Sequence, residues 1–198
     1  DSIAFTRAER LAFLNRIPEA ISAFQELSKK YPNSPLRHQA DQSVGDLLFK
    51  TQKYADALNV YHQIPPTSRN ESIAGQEVLS LYRLKRVKEA QKMVKTFKKS
   101  HKTATDWVAL FEVEEGKYKL RLQKPKDARK IFEKIIKNYP KSEAEAEASY
   151  YLVRAFFLTP DKDGNNEPYF KALVSFVETF SHNPHWSSAN LELAEYWE

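Results

Sequence analysis

Residues 127–140 read Asp127-Ala128-Arg129-Lys130-Ile131-Phe132-Glu133-Lys134-Ile135-Ile136-Lys137-Asn138-Tyr139-Pro140, and their spacing recurs along the chain. An acid precedes an alanine, a large apolar side chain follows four residues later, and a proline stands twelve residues past the alanine. Outward from this segment the alanine returns as Ala20, Ala57, Ala90 and Ala172, so the five positions are separated by 37, 33, 38 and 44 residues. The side chains four residues on are Phe24, Tyr61, Val94 and Phe176, and the acids are Glu19, Asp56 and Glu89. Tyr31-Pro32 and Asn183-Pro184 repeat the closing punctuation of Tyr139-Pro140. Agreement in five registers marks an internal repeat.

Each unit opens with a second helical stretch. A small or apolar residue sits twelve positions ahead of the alanine, with a partner three residues later: Ala8 with Leu11, Gly45 with Leu48, Val78 with Leu81. In the fifth unit a longer connection intervenes, and Leu152, Val153 and Phe156 take these roles. The physical reading is a helical hairpin. Alanine lets the second helix approach the first, the following aromatic fills the space between hairpins, and proline, which has no N–H to donate, closes the second helix.

This pattern resembles the tetratricopeptide repeat (TPR), a unit of ~34 residues with a small-residue pair, an Ala-x3-Phe step and a closing proline. The resemblance covers nearly the whole chain and is loosest over 71–102, where Gln91-Lys92-Met93-Val94 replaces the aromatic step and no proline follows. It implies an all-α fold, a right-handed α-solenoid of about five hairpins. The units are 1–34, 35–66, 71–102, 104–140 and 142–184 of a single array, with 185–198 as a further or capping helix. Lys30-Tyr31-Pro32-Asn33-Ser34-Pro35 ahead of Ala40 and Val44-Gly45 resembles the bacterial envelope branch of the family. So does Asn138-Tyr139-Pro140-Lys141-Ser142 ahead of Ala144, Ala146 and Ala148. Outer-membrane assembly lipoproteins and the Tol–Pal coordinator belong to that branch, and the superhelical region of lytic transglycosylases is similar in texture.

Composition excludes most chemistry. Four glycines in 198 residues fall well below the ordinary ~7%, and no phosphate-cradling or dinucleotide fingerprint occurs. Without cysteine there is no disulfide framework, thiol nucleophile or thiolate zinc site, and an oxidising compartment is compatible but not required. No apolar run approaches the ~18 residues that a bilayer span needs. Asp1-Ser2-Ile3-Ala4-Phe5 lacks the basic and apolar regions of a signal peptide and reads as the interior of a trimmed or processed chain. Of five histidines only His182 and His185 are close, and Pro184 between them favours a surface turn over a metal pair. Asp161, Asp163 and Asn165 match the start of a calcium loop. Gly164 falls at the fourth place, however, and Ala172 stands where a bidentate Glu is required, so the segment reads as a long turn. Asn70-Glu71-Ser72 fits the glycosylation triplet, a pattern too short to carry weight. No carboxylate pair stands out as acid and base. The expectation is a non-enzymatic protein with no cofactor and no metal.

Charge is uneven. Nine Lys/Arg against the single acid Glu89 lie between Arg83 and Lys102, out of 31 and 26 in the chain, leaving 22 basic and 25 acidic residues elsewhere. Lys85, Lys88, Lys92, Lys95, Lys99 and Lys102 step by three and four, as along one helical face. Such a stripe suits an anionic partner (acidic protein, lipid head groups or nucleic-acid phosphates) or a plain solvated face, and no RNA-binding signature accompanies it.

The TPR resemblance also implies a concave groove lined by the first helices. Carried over residue by residue, its candidates are Phe5, Glu9 and Phe13; Gln42, Asp46 and Phe49; Leu79, Tyr82 and Arg83; Val113 and Lys117; and Tyr150, Arg154 and Phe157. Aromatics mixed with single charges suit a peptide or another protein. The positions that would grip a C-terminal carboxylate hold Phe5, Glu9, Ser43, Ser72 and Gln76, none of which matches, so recognition of that kind is not expected. The resemblance thus points to a partner-binding scaffold in a bacterial, periplasmic or envelope-associated assembly. The alternatives are the architectural part of a larger enzyme such as a transglycosylase, a binder of nucleic acid or an anionic surface through the lysine stripe, and a cytoplasmic location.

Overall fold

A computed structural model describes residues 1–159 and 166–197, and every regular element among them is helical. Two compact units divide the chain, Asp1–Lys102 and Thr103–Glu198. The first holds α1 (Ser2–Phe13), α2 (Ile17–Lys30), α3 (Arg37–Lys50), α4 (Tyr54–Gln63), a 3-10 turn at Pro66–Ser68, α5 (Glu71–Arg83) and α6 (Val87–Ser100). The second holds α7 (Thr105–Arg121), α8 (Pro125–Asn138), α9 (Glu143–Phe157), α10 (Glu167–Thr179) and α11 (Trp186–Trp197). The architecture is that of an all-α TPR-like solenoid, five hairpins followed by a last helix.

Local chemistry explains where the second helices begin. The acid ahead of each of the first four alanines lies in the first turn of its helix: Glu19 of α2, Asp56 of α4, Glu89 of α6 and Asp127 of α8. There a carboxylate meets the positive end of the helix dipole. In α2 and α6 it also pairs with the residue just ahead of the helix, Arg16 with Glu19 and Arg86 with Glu89. The chain reverses between paired helices in three residues, using a left-handed backbone at Asn15, Gln52, Lys85 and Gln123, with φ of 57°, 62°, 62° and 56°. Two hydrogen bonds hold each reversal. In the first, the Asn15 N–H donates to the Ala12 carbonyl at 3.0 Å and the Arg16 N–H to that of Leu11 at 2.9 Å. Glycine is the usual residue for this conformation, so four non-glycine residues here accept a strain of about 1 kcal/mol each. Lys85 therefore belongs to a turn and Lys102 lies beyond α6, a correction to the single helical face expected for all six lysines. The first is the left-handed residue, and the helix stops at Ser100.

Packing follows the repeat. Ala20, Ala57, Ala90 and Ala128 are fully buried, and Ala8, Gly45, Val78 and Gly116 of the first helices are buried as well. In the first unit Phe5, Phe24, Leu27, Val44, Tyr61 and Ile73 share one core, with the Phe5 and Phe24 rings edge to face at 5.3 Å. In the second unit Val113, Phe132 and Ile135 form one cluster and Val153, Leu173 and Phe176 another.

The fifth hairpin corrects the expected register. Ala172 is only partly buried, while Tyr169, Leu173 and Phe176 occupy the core. Tyr169 thus stands where the other second helices have alanine, three residues earlier than its spacing suggested. Accordingly α10 ends at Thr179, well before Asn183-Pro184, whereas α2 and α8 end one residue ahead of Tyr31-Pro32 and Tyr139-Pro140. Burying the larger Leu173 outweighs burying a methyl group, because the gain scales with the apolar area removed from water.

Candidate partner-binding surfaces

In the first unit the candidates divide by burial. Phe5, Leu79 and Tyr82 are buried, contrary to a ligand-facing role, because burying large apolar side chains between helices gains more than exposing them. Glu9, Phe13 and Arg83 are exposed, Phe13 at 89%. Phe49 is half-buried and meets Tyr54 edge to face at 5.1 Å. Gln42 Oε1 accepts a hydrogen bond from Asn70 Nδ2 at 3.0 Å, and Asn70 Oδ1 in turn accepts the Ile73 N–H at 2.9 Å, capping α5. The Asn70 amide is thereby engaged through both ends.

Asp46 is held by the second helix of its own hairpin, with the Tyr61 hydroxyl donating to Oδ1 at 2.6 Å. Burial pushes its carboxyl above the ordinary value of 3.8, against the hydrogen bonds from Tyr61 and Gln42. A folded-state pKa above the unfolded value means that the associated stability is fully present below 3.8 and is lost as pH rises through the folded value. Asp46→Asn retains an acceptor oxygen without the charge. The variant should therefore gain on the wild type as pH rises across that window and hold no such gain below it. Urea midpoints at matched pH check this, and a gain that shrinks with rising pH contradicts it.

Sequence spacing did not single out Glu77. It is almost fully buried on α5, with Arg69 Nη1 at 3.3 Å and His62 Nε2 at 3.5 Å. Burial raises its pKa, opposed by those two neighbours. Arg69 also donates to the Ile64 and His62 carbonyls at 2.8 and 3.0 Å, so this cluster staples α4 to α5.

The second unit carries a continuous polar and aromatic band along α9. At its base Lys117 is 7% exposed. Its Nζ donates at 3.1 Å to both Glu114 and Glu147 and lies 4.5 Å above the Tyr151 ring centroid. Lys117 is therefore a buried tie between α7 and α9, and Val113 beside it is core; neither faces a ligand as the resemblance implied. Glu147 also lies 3.7 Å from His185 Nε2, and the His185 ring stacks on Tyr150 at 3.9 Å with 6° between planes. One turn on, Arg154 Nη1 is 3.2 Å from Glu192 Oε1, which accepts the Tyr169 hydroxyl at 2.5 Å. The Arg154 guanidinium lies 5.3 Å from the Phe157 ring centroid, and Phe157 is 55% exposed. Glu147, Tyr151, His185 and Glu192 were not among the expected residues. The steps of three and four through Glu147, Tyr150, Tyr151 and Arg154 carried a signal for the two on α9. Nothing local announces His185 or Glu192, which reach the band from α11 and the turn before it. The calcium-like Asp161, Asp163 and Asn165 lie outside the described residues.

All five lysines of α6 are exposed, Lys88, Lys92, Lys95 and Lys99 of the stripe together with Lys98, while Val87, Ala90 and Phe97 are buried. No helix among the described residues is long and apolar enough to cross a membrane.

These hairpins have close counterparts of known fold. A tetratricopeptide repeat protein from Parabacteroides merdae ATCC 43184 superposes with a TM-score of 0.63 at 14% identity, over 97% of this chain and 71% of that one. The MamA protein does so at 0.60 and 13%, over 92% and 94%. A thermophilic TPR protein of Thermus thermophilus gives 0.59 and 15%, over 96% and 98%. At such identities the likeness is one of fold. Among curated proteins none matches the sequence. The tetratricopeptide repeat family model matches residues 5–68 and 113–184. Its gap falls on the third hairpin, where Val94 takes the aromatic place and no proline closes the helix. With more than half of its length matched, and with alanine, aromatic and turn packed as a repeat requires, the chain belongs to the tetratricopeptide repeat family.

Proposed function

We propose that this chain is a non-enzymatic scaffold that holds a segment of a partner protein, within a bacterial envelope assembly. TPR proteins as a family bind other proteins, and the α9 band of the second unit supplies what such binding needs. The observation that carries the reading is the combination on one helix of the exposed Phe157 with Arg154 and Tyr150, each held in place by a neighbour. Side chains already fixed lose little entropy when a ligand arrives, and an aromatic beside a guanidinium is the composition of a binding hot spot. The Tyr-Pro texture of residues 30–35 and 138–142 supports the envelope setting and a periplasmic or envelope-associated address.

The test is a photo-crosslinking side chain at position 157, with envelope and cytoplasmic fractions of the source organism presented separately. A single protein adduct from the envelope fraction is expected. Phe157→Ser should weaken its capture at least ~10-fold, about 1.4 kcal/mol, with an unchanged melting temperature. Capture that ignores the Phe157 substitution removes the α9 surface from the proposal, and an adduct confined to the cytoplasmic fraction removes the envelope setting.

A further inference from the structure

We propose that the exposed face of α6 docks on an anionic lipid bilayer. Lys88, Lys92, Lys95 and Lys99 span twelve residues of this helix, a ridge of about 16 Å, and Lys85 and Lys102 extend the charge into the turns at either end. None of these six has a carboxylate within 4.0 Å among the described residues, whereas Lys117, Lys119, Lys134 and Lys171 each have one. The one acid of the segment, Glu89, is occupied by Arg86 through two hydrogen bonds of 2.7 Å. Lysines three and four apart on a helix repel one another, so the stripe weakens the helix that carries it unless a polyanion neutralises it.

The shape and chemistry of the face select among polyanions. Every residue that accompanies the lysines on the exposed side is polar: Glu89, Thr96 and Ser100. Val87, Ala90 and Phe97 are buried, Met93 and Val94 partly so, and no apolar residue of the helix is exposed, so the face adsorbs to a surface and inserts nothing into it. No aromatic side chain is exposed on α6 for bases to stack upon, which is the feature that strengthens single-stranded nucleic-acid binding. All four positions hold lysine, a hydrated point charge, and none holds the planar fork of arginine that reads fixed phosphates bidentately. A protein helix packing against this ridge would find no apolar seam. A planar array of mobile anionic head groups meets a straight ridge along its whole length.

The experiment is co-sedimentation of the full chain with phosphatidylcholine vesicles, with and without phosphatidylglycerol, at low and high salt. Binding is expected only with phosphatidylglycerol and should weaken at least ~10-fold at high salt. Each lysine near an anionic surface contributes about fivefold in affinity, so changing Lys88, Lys92, Lys95 and Lys99 to Gln should weaken binding by more than ~100-fold. The double variants Lys88→Gln/Lys95→Gln and Lys92→Gln/Lys99→Gln should fall between, and melting temperatures should be unchanged or higher because repulsion is relieved. Equal binding to neutral vesicles, no loss in the fourfold variant, or tighter retention by duplex DNA than by vesicles at the same salt would each overturn the proposal.

Discussion

Lys117→Met should destabilise the second unit by about 3–5 kcal/mol, the range for removing one partner of a buried charge cluster. Its ammonium sits between Glu114, 3% exposed, and Glu147. Methionine matches the stem and leaves the volume nearly unchanged, so the loss comes from two carboxylates deprived of the ammonium they share. Neutralising the carboxylates as well separates charge from packing. The triple variant Lys117→Met/Glu114→Gln/Glu147→Gln should recover at least half of the loss, since replacing a whole buried ionic cluster is often neutral. Urea unfolding of the three forms measures this. A single variant within about 1 kcal/mol of wild type would mean that water already screens the cluster.

Gly45→Ala should cost the first unit about 1–3 kcal/mol, although alanine is the better helix former by about 1 kcal/mol. A Cβ on Gly45 would stand 2.3 Å from Tyr61 Cε1 and 2.8 Å from both Cδ1 and Cζ. An aromatic ring escapes such a clash by tilting, and this one has no room to do so. Tyr61 is fully buried, and its hydroxyl is tied to Asp46 at 2.6 Å. The two positions must therefore couple. In a Tyr61→Leu background the alanine should cost at least ~1 kcal/mol less, read from a double-mutant cycle. Additive effects would place the strain elsewhere. Gly116 repeats the geometry in the second unit, its Cβ falling 2.4 Å from Phe132 Cε1.

Glycine at 45 and 116 also shows how much of this fold was open to reading. The interval of twelve from Gly45 to Ala57 and the step of four to Tyr61 were legible because both partners of a hairpin are near in sequence and the helix period is constant. The buried alanines and the family itself followed from the same spacing. The groove was less legible. Resemblance assigned Phe5, Leu79, Tyr82, Val113 and Lys117 to a ligand-facing surface, and all five are buried. Helical phase separates two faces of a helix, but a first helix in a stacked hairpin has neighbours on three sides. Which of its edges is left open depends on helices more than thirty residues away.

Sequence alone determined the helical hairpins, their repeat, the acid in the first turn of each of the first four second helices and the concentration of charge on α6, because each depends on contacts within a helix or its hairpin partner. Tertiary structure decided the rest. The four left-handed turns carry Asn, Gln or Lys in place of glycine, since two backbone hydrogen bonds and the packing of the flanking helices offset the strain. Register in α10 was settled by which side chain filled the core, Leu173 over Ala172. The α9 band was assembled from residues as distant in the chain as Lys117 and Glu192, with His185 brought onto Tyr150 from outside the helix. Periodicity measures angle around one axis, whereas burial and ion pairing are set by what a second axis brings against it.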